Sequence, residues 1–239
     1  MDLIKLLITP FYFIYLKWLN FLTIRKYGSL LEAYLLLGLY YFFNYSVARI
    51  NFEKGHIYDI VNKDELIYGE VPSYALRKIL ANIPINKNNV FIDLGCGKGK
   101  TVFFVNQAYG LRSIGVDVVP TYIRAAQVIR DKMQLENITF LKDNILNTDL
   151  SKGNIFLLSW TCFTQKTRDL ITHKLEKEIP KDAYVITTTH AIQSACFKEL
   201  KSIYAPFSWG KGYAYISKKM TCSPQQAKIQ ESVVRIQKS

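Results

Sequence analysis

The chain has 239 residues and a mass of 27.6 kDa, enough for one large domain with a short extension and a substantial core. With 49% hydrophobic and 21% charged residues, disorder throughout is excluded. The net charge of +12 is uneven: residues 205–239 carry six basic side chains against one acid, whereas 51–204 are nearly balanced at 20 against 16. That distribution argues against nucleic acid as a partner, because a nucleic-acid enzyme gathers basic charge on a face of its folded domain. Residues 221–239 read as a basic tail, either solvated or touching an anionic surface. Cys96, Cys162, Cys196 and Cys222 show no C-x-x-C spacing and no histidine cluster beside them. The pattern predicts reduced thiols, no structural metal and no disulfide framework.

Residues 1–50 form an apolar helical extension with its densest stretches at 6–16 and 33–43, separated by Arg25, Lys26 and Gly28. Extended to 3–24 and 30–48, they approach the ~20 residues that cross a bilayer, but then include Lys5, Lys17, Glu32 and Asn44. A secretory signal does not fit, since Pro10 and Lys17 interrupt the run and no small-residue cleavage site follows. Three arrangements stay open: a membrane anchor, helices lying in the surface plane with Trp18, Tyr34, Tyr40 and Tyr41 at the headgroups, or an apolar cap packed on the domain that follows.

From residue 64 onward, strand and helix patterns alternate. Short β-branched and aromatic runs predict strands at 90–94, 113–116, 138–141, 155–159 and 183–189, and apolar recurrence every three to four residues predicts helices at 100–109, 122–133, 164–179 and 191–203. Pro72 opens a shorter predicted helix at 72–81, Pro120 sits just inside one helix start, and Pro180 lies just past another's end. Residues 203–208 and 213–217, on either side of Trp209-Gly210-Lys211-Gly212, predict a C-terminal β-hairpin. The division is therefore 51–82 as a loop and leading helix and 83–220 as an α/β core, a parallel sheet covered on both faces.

The strongest motif is Asp93-Leu94-Gly95-Cys96-Gly97-Lys98-Gly99-Lys100, which follows a predicted strand and opens a helix. Its G-x-G-x-G spacing fits neither the dinucleotide fingerprint nor the phosphate loop. It resembles motif I of the class I S-adenosylmethionine-dependent methyltransferases. That resemblance implies a Rossmann-like seven-stranded sheet and S-adenosylmethionine as cofactor. Asp93 would then lie at the methionine end, Gly95, Gly97 and Gly99 would let the backbone pass close to the ligand, and Lys100 would stand beside it. Asp117, 24 residues after Asp93, ends the second strand, where it can accept from both ribose hydroxyls. Asp143, with Asn144, follows the third strand and can accept from the adenine amino group. Three acids at successive strand ends stand where ligands bind in such sheets.

Upstream, Tyr68-Gly69-Glu70 resembles the cofactor loop of the Dot1-type protein-lysine methyltransferases and their bacterial and mitochondrial relatives. The resemblance, which spans 64–218, implies that Tyr68 stands at the methyl-transfer end and Glu70 near the methionine moiety. After the fourth strand, Ser159-Trp160-Thr161-Cys162-Phe163 occupies the place of that family's Asn-Asn-Phe-Ala-Phe-like segment. The paired amides are missing, so Ser159 and nearby carbonyls are the remaining acceptors, while Phe163 matches an aromatic of the lysine channel. Core packing is the competing reading for Trp160 and Phe163.

His56, His173 and His190 form no base constellation, and Cys162 reads as a buried inert thiol. The activity implied is methyl transfer to a protein lysine. An RNA, small-molecule or lipid acceptor stays open, as does a membrane-bound cofactor-binding protein without transferase activity, because the fold does not choose the acceptor. Cofactor supply and reduced thiols imply the cytosolic face of a membrane, the matrix side in a mitochondrion, or the cytosol if residues 1–50 are a packed cap.

Overall fold

A computed structural model describes residues 3–44 and 69–221. Tyr68, His56, Cys222 and nearly all of the expected basic tail lie outside the described residues. Two helices, α1 (Leu3–Ile24) and α2 (Gly28–Asn44), precede the core. Next come α3 (Ser73–Leu80), β1 (Val90–Leu94), α4 (Lys100–Tyr109), β2 (Arg112–Asp117), α5 (Pro120–Lys132) and β3 (Ile138–Lys142). The chain continues through β4 (Ile155–Leu158), α6 (Gln165–Glu178), β5 (Tyr184–Thr188), β6 (Phe197–Phe207) and β7 (Gly210–Lys219).

The seven strands form one sheet in the order β3-β2-β1-β4-β5-β7-β6. The first five run parallel and β7 enters antiparallel between β5 and β6. Near-continuous apolar runs such as Ile155–Leu158 suit this position, because a parallel strand is covered on both faces. Phe91, Leu157 and Ile186 face a core shared with α2 to α5, whereas Ile92, Leu94, Phe156 and Leu158 face one shared with α6. The C-terminal end of α6 is capped from the far strand by the Lys219 ammonium, which donates to the Ile179 carbonyl where the helix dipole is negative.

One predicted element is wrong. No helix forms over 191–203; β6 begins at Phe197 and runs to Phe207. Ile192, Cys196, Leu200 and Ile203 recur at helical spacing, but Ile192 and Cys196 precede the strand, and a register shift between Glu199 and Lys201 leaves Leu200 exposed on the edge strand. The expected hairpin is correspondingly longer, 197–219, and turns at Ser208-Trp209. The expectation for the cysteines also fails at two positions: Cys162, which like Cys96 forms no disulfide, is half-buried where a buried thiol is expected, and Cys196 is disulfide-bonded. Sequence spacing hid this because the hairpin returns the chain to Cys196, whose carbonyl accepts from the Met220 amide at 2.8 Å.

Among the described residues, no helix is long and apolar enough to cross a membrane. α1 has the bounds expected for the extended first stretch, and α2 covers most of the second. Leu30, Ala33 and Leu37 of α2 are fully buried in the core formed with α4 and α5, and α1 packs on α3. Burying one leucine side chain contributes roughly 1.5–3 kcal/mol, so the inward side of this helix pair is a structural cap.

Candidate active site

The glycine loop at the carboxyl end of β1 is built from left-handed backbone. Gly95, Gly97 and Gly99 have φ of 90°, 52° and 76°, a region that L side chains rarely enter. At Gly99 a Cβ would also stand 2.5 Å from Phe140 Cε1. At Gly95 it would meet no protein atom within 4 Å, so this backbone borders open space, as close approach to a ligand requires. The Gly97 amide donates to Asp117 Oδ2 at 2.8 Å, and the Val119 amide donates to Asp117 Oδ1 at 2.9 Å. Asp117 thereby ties the loop to the start of α5.

Asp143 adjoins Asp117 through a backbone bond of 3.1 Å from its amide to the Asp117 carbonyl. Its carboxylate accepts from the Thr148 hydroxyl at 3.0 Å and the Asn144 amide at 2.8 Å, while Asn144 Oδ1 accepts from the Leu146 amide at 2.9 Å. Both side chains thus shape the turn after β3.

Glu70, Asp93, Gly95, Lys100 and Ser159 line one cleft. Lys100 Nζ lies 2.9 Å from both Glu70 carboxylate oxygens, and both side chains are about one-third exposed. Asp93 is 3% exposed and accepts from the Thr101 hydroxyl. Burial, reinforced by the Asp117 charge, pushes its carboxyl up to about 7 against the opposing Thr101 bond.

Sequence reasoning missed the residues that hold this cleft in shape. The Glu70 amide donates to Ser208 Oγ at 2.7 Å, and the Ser208 amide donates to the Glu70 carbonyl at 3.1 Å. A Cβ on Gly69 would lie 2.8 Å from Trp209 Cε3, so the hairpin turn clamps the Gly69-Glu70 segment. From the other side, Asn20 of α1 accepts from the Ser73 amide at 2.8 Å, and Tyr34 of α2 meets Ser73 Oγ at 2.8 Å and the Lys100 carbonyl at 2.9 Å. The one available signal was Trp209, a large aromatic placed in a turn.

Beyond Ser159, buried Trp160 borders a separate cavity of about 250 Å³, also lined by Arg168, Thr189, His190 and Tyr215. Arg168 donates to the Phe163 carbonyl at 2.5 Å and to Gln165 Oε1 at 2.6 Å. The His190 pKa is lowered by burial and by the Arg168 charge, leaving the ring neutral at pH 7. Thr189 has φ of 70°, strained for a β-branched residue, and its amide is held by the Tyr213 carbonyl at 2.9 Å. Phe163 packs against the α6-side core and borders neither the cleft nor this cavity. The structure therefore gathers Glu70, Asp93, Gly95, Lys100 and Ser159, leaves Asp117, Asp143 and Asn144 along the adjoining strand ends, and sets Phe163 apart.

Residues 85–231 match the family described as a methyltransferase domain. The chain belongs to that family. Among curated relatives, the phosphoethanolamine N-methyltransferase of Plasmodium falciparum is 29% identical over 46% of this methyltransferase and 40% of its own length. The chain therefore spans about two-fifths of that relative. A protein-lysine N-methyltransferase of Saccharolobus islandicus is 23% identical, covering 56% of this chain and 82% of its own. An RNA methyltransferase from Salinibacter ruber, solved with S-adenosyl-L-homocysteine, superimposes with a TM-score of 0.56 at 15% identity, over 65% of this chain and 96% of its own. The geranyl diphosphate C-methyltransferase of Streptomyces coelicolor gives 0.51 at 11%, over 63% and 80%. At such identities these structures speak for the fold alone. The open face of Gly95 and the polar groups of the cleft beside it are the chemistry that S-adenosylmethionine, the cofactor expected from the glycine motif, requires.

Proposed function

We propose that this methyltransferase alkylates nitrogen and that its acceptor is the side-chain amine of a protein lysine. The observation that carries the reading is Ser159: it directly follows β4 and lines the same cleft as Asp93 and Glu70, a small neutral hydrogen-bond acceptor. Both curated relatives are N-methyltransferases, which supports nitrogen as the attacked atom.

The cofactor supplies an electrophilic methyl group on a sulfonium centre. Asp93 and Glu70 would hold the methionine ammonium, Lys100 its carboxylate, and Asp117 the ribose hydroxyls. Ser159 accepts a hydrogen bond from the incoming amine and turns its lone pair toward the methyl group, so positioning dominates over proton chemistry. The amine loses its proton to solvent before attack. Buried surroundings favour that neutral form.

A second reading, a small phosphorylated or carboxylated amine, draws on Arg168 and His190 in the adjoining cavity and on the phosphoethanolamine enzyme among the relatives. Release of S-adenosylhomocysteine from purified full-length protein, with lysine peptides, phosphoethanolamine or short RNA as acceptors, separates the readings. Turnover on lysine peptides supports the first, turnover on phosphoethanolamine alone the second, and turnover on RNA alone overturns both. A domain that consumes S-adenosylmethionine has to face its supply, so we place the cleft on the cytosolic side or, in a mitochondrion, the matrix side.

A further inference from the structure

α1 and α2 are apolar on two opposite sides, and among the described residues only one side is used by the fold. Inward, Tyr12 donates to the Phe207 carbonyl at 2.8 Å, Leu16 and Ile24 are buried, and Leu30, Ala33 and Leu37 sink into the core. Outward, Phe11, Ile14, Trp18 and Phe21 recur every three to four residues along α1 with exposures from 48% to 72%. Leu35 and Leu39 repeat the pattern on α2, at 60% and 53%. A helix with apolar stripes on both sides needs a partner on both.

We propose that the outward stripes of α1 and α2 lay the helix pair flat on an anionic lipid bilayer, inserted into the headgroup boundary without crossing it. Neither the packed-cap nor the membrane arrangement then excludes the other, because each uses a different side of the same helices. Charge chooses lipid over a second protein copy. Lys17 is exposed between Ile14 and Trp18, and Arg25 and Lys26 are exposed at the turn joining the helices. Within a protein interface Lys17 would be an unpaired ammonium amid apolar side chains, a group that interface cores exclude. At a bilayer its stem lies along the apolar stripe while the ammonium reaches the phosphates. Tyr15 and Trp18, both exposed, have the amphipathic rings that reside at headgroup depth. Glu32 is the only acid within α1 and α2, so an anionic surface meets little repulsion. The inward contacts also tie α1 and α2 to Ser73 and Lys100, so docking would hold the cleft at a fixed height above the membrane, whatever the acceptor.

The test is flotation of the purified full chain with vesicles of phosphatidylcholine alone or mixed with phosphatidylglycerol. The wild type is expected to float with the anionic vesicles. Replacing Ile14, Phe21 and Leu39 together by Ser should reduce partitioning by about tenfold or more, with thermal unfolding and S-adenosylhomocysteine binding unchanged. The K17Q/R25Q/K26Q variant, which leaves the stripes intact, should lose the preference for anionic vesicles. Should the serine variant fold poorly, the Trp18 emission shift on adding vesicles, with Trp18→Phe as the blank, reads insertion directly. The proposal fails if the wild type floats with neither vesicle, if Trp18 emission stays fixed, or if the stripe instead supports a concentration-dependent dimer that vesicles do not compete away.

Discussion

The hydroxyl of Tyr34, on a helix outside the sheet, donates to the backbone carbonyl of Lys100, the first residue of the helix opened by the glycine loop, at 2.9 Å. The same oxygen meets Ser73 Oγ at 2.8 Å, and burial pushes the Tyr34 pKa well above its ordinary value. One side chain thus fastens the N-terminal cap both to the start of α3 and to the start of the helix that follows the glycine loop. Tyr34→Phe leaves the Ser73 and Lys100 oxygens short of a buried partner, a change that costs about 1–3 kcal/mol. We expect a lower unfolding temperature together with weaker S-adenosylhomocysteine binding by calorimetry. Loss of stability with unchanged affinity would mean that Tyr34 serves the cap alone.

Gly69 and Trp209 make a second testable contact. The Trp209 ring stacks on Phe207 with centroids 4.9 Å apart and planes 2° from parallel, which leaves it little freedom to retreat from a Cβ at position 69. Gly69→Ala should therefore displace the Glu70 segment and weaken cofactor binding. Adding Trp209→Leu, which removes the obstructing ring, should restore part of that affinity, and a double-mutant cycle by calorimetry measures the coupling. Strictly additive effects would show that the contact does not set the loop's position.

The parts of the fold that local pattern specifies were legible. Strand β1 and the helix after the glycine loop have the bounds that periodicity and glycine punctuation predict, and so does the first helix. The segment 191–203 was misread because apolar spacing alone cannot distinguish a helix from a bulged edge strand whose alternation is interrupted at Leu200. Asp93, Lys100 and Ser159, which the resemblance to known methyltransferase motifs singled out, line one cleft because β1, the glycine loop and β4 end side by side. The supports at Asn20, Tyr34, Ser73, Ser208 and Trp209 were hidden, because each contact joins residues far apart in sequence and leaves no local periodic trace.

Asp93 gives the site a pH dependence. Its carboxyl rises from 3.8 to about 7 on burial, so between those values the folded chain retains a proton that the unfolded chain has released. Its contribution to stability is fully present below the unfolded value and is lost as pH rises through about 7. Asp93→Asn should accordingly gain stability relative to wild type as pH rises across this window, by at most ~4 kcal/mol, read from denaturant unfolding at several pH values. Wild-type affinity for S-adenosylhomocysteine should increase with pH up to about 7, since the ligand ammonium favours the ionised carboxylate, and binding should release protons in buffers of differing ionisation enthalpy. A flat stability difference and no proton release would remove Asp93 from the cofactor contact.

Deleting residues 1–44 strips the cover from α4 and α5 where Leu30, Ala33 and Leu37 are buried. The lost burial amounts to roughly 4–8 kcal/mol, comparable to the whole stability of an ordinary domain. The shortened chain is expected to lack a cooperative thermal transition. A sharp transition with full cofactor affinity would show that the cap is dispensable.

Transfer of labelled methyl groups identifies the acceptor. The purified full-length protein is incubated with methyl-labelled S-adenosylmethionine and membrane and soluble fractions of the source cells, and the products are separated into protein, RNA, lipid and small molecules. Label is expected in protein, recovered after hydrolysis as Nε-methylated lysine, and lost in the Asp117→Ala variant because that substitution weakens cofactor binding by about 1.5–3 kcal/mol. Label confined to RNA, lipid or small molecules, or absent from every fraction, would contradict a protein-lysine acceptor.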